Sequence, residues 1–256
     1  MPFHSSNAYL HYEHSVLHNL RYMHEGSVVD FLHAVQETSV SRSRTLTAGT
    51  ALWRAQQAHE YRLENEGQPD EMRIPCACRP QRMKPDPEKV ARDGRVNPLG
   101  IAYLYLATEQ NTACAEVRPW RGEYVSLGRF HTKRDLRIID CTSDERRMLP
   151  FKAFNAVDVH NPVITPWEPD EYESVVWGDI GYGMSKPVTR DDLGLSYVPT
   201  QIIAEALRHG ADGIAYRSLL AQGGVNIALF QIDDAELVDR GLVETTAIQC
   251  TFKRCD

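Results

Sequence analysis

The sequence predicts a mixed α+β protein, and three observations support that prediction. Short strand-like segments recur between residues 50 and 232 instead of forming one block. Helix-like segments with recognisable ends lie before and between them. The composition, 42% hydrophobic and 25% charged, is ordinary for a globular protein. With 256 residues and no internal repeat, the chain is predicted to form one large domain or one domain with an appendage.

Residues 1–49 are predicted to form an N-terminal helical extension. Ser27 and Asp30 resemble a capping box, and an apolar stripe of helical spacing follows it. Gly49 ends this region, so we place the main domain at residues 50–256. That domain opens with a short strand at 50–56, in which Trp53 is expected in the core beside the polar Arg54.

A long irregular excursion is predicted next, at residues 65–98, because six prolines and many charges interrupt it. Loops of that length are usually functional or mobile. A strand at 103–107 follows, whose alternation puts its two tyrosines on one face and its two leucines on the other. Thr108 then caps a helix that runs to about Arg118, where Pro119 stops it.

The second half of the chain is predicted to add four strands and one helix. The strands are expected at 124–130, 136–140, 213–216 and 225–232, and the helix at 200–209. The stretch 142–198 gives few periodic signals. Within it, residues 167–182 are predicted to form a polar and aromatic loop.

Composition argues against several classes of function. With 28 basic and 35 acidic residues, the net charge of −7 does not favour direct contact with a nucleic-acid backbone. The six cysteines form no repeated CxxC pairs, so a zinc ribbon is not indicated. No signal-peptide pattern opens the sequence, and no apolar run approaches the ~20 residues that a membrane span needs. We therefore expect a cytoplasmic protein with reduced thiols and no membrane contact.

Two further candidates for chemistry are weighed and set aside. His14 and His18 have the spacing of a helical metal pair, but Ser15 stands where an HExxH motif requires glutamate. A surface helix with scattered histidines is favoured, and no metal site is expected. Cys114 lies two residues before Glu116, among small residues, and is interpreted as a packing thiol.

The segment Gly94–Glu116 is the most informative part of the chain. Arg95 lies in a bend rich in glycine and proline, where its planar guanidinium can bind a phosphate in a bidentate manner. Tyr105, on the following strand, can offer a ring face for stacking. Glu116 lies on the next helix among small residues that let the helix approach a sheet. The alternative is a structural ion pair between Arg95 and Glu116 beside a core tyrosine.

A second polar cluster lies more than a hundred residues further along, at 212–230. Ser218 follows a predicted strand, and Asn226 opens the next one. A serine and an asparagine at the mouths of adjacent strands suit hydrogen bonding to a ribose or an amide. Taken alone, the same residues are equally typical of the polar groups of a hairpin turn.

Together the two clusters resemble the RES domain family, which is named for its arginine, glutamate and serine. The first motif corresponds to Gly94-Arg95, the bend at 97–100, the strand Leu-Tyr-Leu-Ala at 104–107 and Ala115-Glu116-Val117. The later motif, a serine followed eight residues on by an asparagine, corresponds to Ser218 and Asn226. An earlier Trp-Arg element corresponds to Trp53-Arg54. The resemblance covers about residues 50–232, and the order and spacing of the motifs make it specific.

This resemblance implies a compact mixed sheet with flanking helices, similar to ADP-ribosyltransferase toxins. It implies cleavage of NAD+ as a substrate, with no further cofactor, and a toxin paired with an Xre-like antitoxin protein. The implied site residues have separate roles. Glu116 is the essential carboxylate, Arg54 and Arg95 hold the NAD phosphates or the adjoining ribose, Tyr105 stacks on nicotinamide, Ser218 orders the nicotinamide-side ribose, and Asn226 binds substrate.

One carboxylate is enough for such a reaction. Ordinary glycosidases need a second carboxylic acid for the leaving oxygen, whereas the nicotinamide of NAD+ is already cationic and leaves neutral. Glu116 can then stabilise the cationic sugar and orient water. Two rivals stay open: ADP-ribosyl transfer to a macromolecule, and a catalytically silent binding module. The sequence also leaves open whether water or phosphate is the acceptor, and whether the N-terminal helices form a homodimer or cover the site.

Overall fold

The computed structural model describes residues 3–89, 93–142, 169–186 and 195–248. Within these ranges, the strands are β1 (Ser43–Leu46), β2 (Ala51–Gln56), β3 (Glu60–Glu64), β4 (Met72–Cys76), β5 (Leu104–Ala107), β6 (Tyr124–Thr132), β7 (Leu136–Asp140), β8 (Gly213–Arg217), β9 (Val225–Leu229) and β10 (Ala235–Glu244). The α-helices are α1 (Ala8–His18), α2 (Ser27–Thr38), α3 (Pro80–Met83), α4 (Gln110–Glu116), α5 (Pro169–Ser185) and α6 (Val198–Leu207).

Eight of the strands form one mixed sheet in the order β1-β7-β8-β9-β5-β2-β6-β10. Neighbouring strands run antiparallel, except for the parallel pair β7 and β8. The order places β9 directly beside β5, with Ala107 opposite Asn226. The two polar clusters of the sequence therefore meet at the centre of the sheet although they are far apart along the chain. The mixed α+β architecture predicted from the sequence is confirmed.

Helices cover the sheet on both faces. The largest core joins α1, α2, α5 and α6 to the sheet, and it includes the fully buried Trp177, Ile203 and Ile214. A second core on the other face contains Leu52, Leu104 and Phe130. The short helix α4 packs over β2, β5, β6 and β9 because its inward residues are small. A small third core beneath it contains Ala107 and Ala113.

The N-terminal helices belong to the largest core. Tyr12 of α1 and Phe31 of α2 stack with their ring centroids 4.4 Å apart, and both are buried. The predicted capping box at Ser27 is wrong. The N-cap of α2 is Gly26, with φ of 56°, and the helix start has no side-chain cap. A left-handed backbone at that position favours glycine, which explains the choice of residue.

Several other predictions need correction. The excursion at 65–98 is not wholly irregular, since it contains β4 and α3, and β4 pairs with β3 in a separate hairpin. Strands β1 and β10, at the two edges of the large sheet, were not predicted. The core residues of β2 are Leu52 and Ala55, while Trp53 is only half-buried. The helix before Pro119 ends at Glu116 instead of at Arg118.

The predicted loop at 167–182 is a helix from residue 169 onwards, and residues 167 and 168 lie outside the described ranges. Glycines usually punctuate loops, and three of them in α5 concealed the helix. Here at least one glycine serves close packing, because a Cβ at Gly183 would overlap the hydroxyl of Tyr9. In the described part of the chain, no helix combines the length and the apolar character that crossing a membrane requires.

Candidate active site

A cleft of about 290 Å³ opens at the centre of the sheet. Strands β2 and β5 and helix α4 form its walls, and the turn before β5 closes one end. Its lining includes five of the six residues that the sequence analysis assigned to a site, namely Arg54, Arg95, Tyr105, Glu116 and Asn226. The sixth, Ser218, touches this lining through a hydrogen bond to Glu116. The structure thus brings all six residues together.

The carboxylate of Glu116 is held by one oxygen. Its Oε1 accepts a hydrogen bond from the Ser218 hydroxyl at 2.6 Å and another from the Asn226 amide at 2.7 Å. Among the described residues, no group donates to Oε2. The side chain as a whole is exposed at the end of α4. The arrangement fixes the orientation of the carboxylate and leaves its second oxygen open to a ligand.

The pairing of the strands positions Ser218 and Asn226 close to Oε1 of Glu116. Asn226 of β9 is flanked by Ala107 of β5 and Tyr216 of β8, and two residues beyond Tyr216 the chain turns at Ser218. The Ser218 hydroxyl also accepts hydrogen bonds from two backbone N–H groups of its own turn, at 3.1 and 3.2 Å. At the far end of this turn, Gly224 lies against α4, where a Cβ would overlap the Thr112 hydroxyl. The absence of a side chain lets the serine turn reach Glu116.

The turn that carries Arg95 is fixed by the Tyr105 hydroxyl. This hydroxyl donates to Asn97 Oδ1 at 2.6 Å and accepts from the Val96 backbone N–H at 3.3 Å. The turn is closed by a hydrogen bond from Gly94 N to the Asn97 carbonyl at 2.9 Å. Burial raises the pKa of the Tyr105 hydroxyl, so that it stays protonated and able to donate. Tyr105 therefore supports the arginine turn with its hydroxyl and borders the cleft with its ring.

The two arginines of the cleft differ in their surroundings. Arg54 donates from Nη1 to the Tyr105 carbonyl at 2.9 Å, and its buried Nε has no hydrogen-bond partner among the residues that the structure describes. Burial lowers the pKa of Arg54 to about 10, which leaves it cationic at neutral pH. The guanidinium of Arg95 is half-buried and lies 5.7 Å from the centroid of the Tyr197 ring, within cation–π range.

The structure speaks against a structural ion pair between Arg95 and Glu116. Within the described residues, the hydrogen bonds to Glu116 come from Ser218 and Asn226, and the two charged side chains form no salt bridge with each other. Both instead line the same cleft. Their charges are therefore available to a ligand that carries an anionic and a cationic part.

Tyr216 is a cleft residue that the sequence analysis missed. It is 4% exposed, faces Asn226 in the sheet register and lines the cleft beside Glu116. Burial, followed by the nearby Tyr105 and Glu116, raises its pKa well above the usual value for tyrosine. A signal was present in the sequence, because residues two apart on a strand share a face and Tyr216 precedes Ser218 by two.

The histidine pair of α1 and Cys114, which the sequence did not favour as functional residues, take no part in the cleft chemistry. The rings of His14 and His18 are 4.9 Å apart on α1. In the described ranges, no group of three or more His, Cys, Asp or Glu side chains is placed to hold a metal ion. Cys114 is partly buried on α4, and burial raises the pKa of its thiol, which disfavours the nucleophilic thiolate.

Comparison with known families agrees with this geometry. The family model of the RES domain matches residues 51–249, which is well over half of the chain. The chain belongs to the RES domain family. No curated protein and no solved structure shows a significant match to it. Membership in the RES family is consistent with an enzyme that acts on NAD+ and with an association with Xre-type antitoxins.

The RES match begins at the first residue of β2 and extends beyond β10. It therefore contains the whole cleft, including the arginine turn and the serine turn. The helices α1 and α2 and the edge strand β1 precede it, although both helices contribute to the largest core.

Proposed function

We propose that this RES-domain protein cleaves the bond between nicotinamide and ribose in NAD+. One observation carries the proposal: Glu116 lines the cleft and is anchored through Oε1, while no described residue donates a hydrogen bond to its Oε2. A fixed carboxylate beside the departing nicotinamide stabilises the positive charge that develops on the ribose. Because the charge is fixed before the reaction begins, little reorganisation opposes the chemical step.

The reaction needs no proton donor for its leaving group. Nicotinamide is bound to ribose as a pyridinium cation, so the electron pair of the broken bond neutralises it. Water then adds to the ribose carbon, and we assign to Oε2 of Glu116 the role of orienting that water and receiving its proton. The products are ADP-ribose, nicotinamide and one proton. NAD+ is thus a substrate, and no additional cofactor takes part.

The cleft also suits the charge distribution of the substrate. Arg54 and Arg95 provide two cationic side chains in the same cleft as Glu116, and a guanidinium binds phosphate oxygens through paired hydrogen bonds. The volume of about 290 Å³ lies near the lower limit of ligand pockets, which is roughly 300 Å³. We therefore assign the cleft to the nicotinamide riboside end and the phosphates, with the adenosine extending outside it.

The decisive experiment is incubation of the purified protein with NAD+, with and without inorganic phosphate, followed by identification of the products. Nicotinamide with ADP-ribose indicates hydrolysis, and nicotinamide with phosphorylated ADP-ribose indicates phosphorolysis. Release that occurs only with an added acceptor protein indicates an ADP-ribosyltransferase. Binding of NAD+ without release of nicotinamide, under every condition, contradicts the proposal and indicates a silent binding module.

We further propose that the activity makes the protein a growth-inhibiting toxin that an Xre-like protein neutralises. Family membership supports this role, since RES domains are associated with Xre-type antitoxins. Controlled expression in bacterial cells should deplete NAD+ and arrest growth, whereas expression of Glu116→Gln should do neither. Growth arrest that persists with Glu116→Gln would show that any toxicity has another origin.

A further inference from the structure

Helix α6 also holds the backbone of the arginine turn, through atoms that Tyr105 does not contact. The Gln201 amide nitrogen donates to the Gly94 carbonyl at 2.8 Å and to the Asn97 carbonyl at 3.1 Å. The Thr200 hydroxyl donates to the Arg95 carbonyl at 2.5 Å. Two adjacent side chains of α6 thus satisfy three carbonyls of a turn that lies about a hundred residues earlier in the chain.

These contacts are buried or partly buried. Thr200 is 1% exposed, Gln201 is 8% exposed and Asn97 is 5% exposed. A buried carbonyl that loses its donor has no water to replace it, so the native positions of the turn and of α6 depend on each other. The Gln201 amide uses its donor capacity on backbone atoms alone. No side-chain hydrogen bond to Arg95 is involved, and the guanidinium stays available to a ligand.

The N-terminal helices in turn hold α6 at both of its ends. The Tyr12 hydroxyl of α1 donates to the Pro199 carbonyl at 2.7 Å, and Tyr12 is 2% exposed. Gln36 of α2 donates to the Ala206 carbonyl at 2.8 Å, at the other end of the helix and in an exposed position. Pro199 immediately precedes Thr200 and Gln201. A short path of hydrogen bonds therefore leads from α1 through α6 to Arg95.

We propose that Thr200 and Gln201 are positioning residues that act through Arg95, and that Tyr12 braces the part of α6 that carries them. Helix α1, which lies outside the family match, then completes the active site instead of being an accessory element. The proposal depends on the proposed function only for the identity of the ligand that Arg95 meets. Displacing a binding group by a fraction of an ångström weakens its contacts with a ligand, and this is what the contacts from α6 prevent.

The first test measures the arginine turn without any ligand. Gln201→Met removes the amide donors and keeps an unbranched chain of similar length. We expect amide hydrogen exchange in residues 94–101 to accelerate by about 10-fold, because the turn loses two hydrogen bonds and opens more often. Gln36→Met is the matched control, since it removes a glutamine bond to the same helix and should leave that exchange unchanged. Unchanged exchange in Gln201→Met would overturn the proposal.

The second test asks whether Gln201 acts through Arg95. The dissociation constant of ADP-ribose is measured for the parent protein, Gln201→Met, Arg95→Ala and the double variant. We expect Gln201→Met to weaken binding about 10-fold in the parent and less than about 2-fold when Arg95 is already Ala, as coupled residues require. An equal loss in both backgrounds would show a role independent of Arg95 and would contradict the proposal.

Two further variants extend the test. Thr200→Val removes the hydroxyl that donates to the Arg95 carbonyl and that also contacts the Tyr197 carbonyl at 3.0 Å, and it replaces Gln201→Met if that variant fails to fold. Tyr12→Phe should change exchange and binding in the same direction but less, and if it changes neither, the brace by α1 is rejected. The exchange experiment decides the positioning role even if the parent protein binds no ADP-ribose. Absence of ADP-ribose binding, or of nicotinamide release from NAD+, would count against the proposed function alone.

Discussion

The two halves of the cleft are held in different ways. On the arginine side, the contacts hold the main chain, since the carbonyls of Gly94, Arg95 and Asn97 accept hydrogen bonds from α6. On the carboxylate side, the contacts hold the reacting side chain itself, because Ser218 and Asn226 both donate to Glu116. One half fixes the base from which a side chain extends, and the other half fixes the functional oxygen atoms.

This difference suggests that the arginine side serves substrate binding and the carboxylate side serves the chemical step. A guanidinium that binds a phosphate can adjust its own torsion angles to the ligand, so fixing its backbone is sufficient. A carboxylate that stabilises a transition state must already point at the developing charge, so its own atoms need support. Substitutions on the carboxylate side should therefore lower kcat, and substitutions on the arginine side should raise KM. The following four substitutions test that distinction, from the largest expected effect to the smallest.

Glu116→Gln should have the largest effect. The amide has the shape of the carboxylate without its charge, so the rate of nicotinamide release should fall by about 10³-fold. Binding of NAD+ should stay close to the parent value, because the arginine side is unchanged. The measurement combines nicotinamide release with calorimetric binding of NAD+. Glu109→Gln, at the start of the same helix and exposed, is the matched control and should keep the parent rate.

A parent-like rate in Glu116→Gln would remove the basis for assigning the chemistry to this residue. A loss of rate accompanied by an equal loss of NAD+ affinity would show that the carboxylate side also contributes to substrate binding. Only a loss confined to kcat agrees with separate functions for the two halves of the cleft.

Ser218→Ala should come next. A hydrogen bond to a charged group contributes about 1.5–3 kcal/mol, so kcat should fall by roughly 10- to 150-fold, while KM changes little. The control is Ser41→Ala, since the Ser41 hydroxyl is exposed and donates only to a nearby carbonyl, that of Thr38. Steady-state kinetics on both variants separates kcat from KM. An effect of Ser218→Ala that falls mainly on KM would place this serine on the binding side of the cleft.

Arg95→Lys should raise KM by about 10-fold and leave kcat within a few-fold, since lysine keeps the charge and loses the bidentate geometry. Nicotinamide riboside, which lacks phosphates, should show no such difference between the two proteins. The exposed Arg44, which donates only to nearby carbonyls, provides the control substitution to lysine. A similar change of KM with nicotinamide riboside would mean that Arg95 does not act on the phosphates.

Local sequence patterns predicted much of the fold, and they assigned the six site residues to one common site. The strand at 136–140 has the predicted bounds, because the short, mainly apolar run that marks it is a local property. The order and spacing of the motifs linked the polar cluster around Arg95 to the cluster around Ser218. The structure adds the physical reason for that link, which is the pairing of β5 with β9.

What the sequence could not predict depends on which elements become neighbours. Gln201 was assigned to a helix, yet its role follows only from the approach of that helix to the arginine turn. Helix α5 was missed because its glycines, which resemble a loop signal, serve close packing. Strand β10 was missed at the edge of the sheet, where most of its residues are exposed and no clear alternation marks it.

Gly94→Ala should have the smallest effect and tests the arginine side without touching any charge. A Cβ at residue 94 would lie 2.5 Å from Asn97 Oδ1 and 2.6 Å from the Tyr105 hydroxyl. The hydrogen bond between these two groups must therefore lengthen or break. We expect a several-fold rise in KM, a change in kcat of less than about 2-fold, and a loss of roughly 1 kcal/mol in the free energy of unfolding.

The control for Gly94→Ala is Gly210→Ala, because a Cβ at residue 210 would meet no atom within 4 Å. Steady-state kinetics and urea unfolding of both variants provide the measurements. A fall in kcat without a rise in KM would mean that the position of the arginine turn controls the chemical step as well as binding. The two halves of the cleft would then act as one unit, and the hydrogen bonds from α6 would support catalysis as directly as Ser218 does.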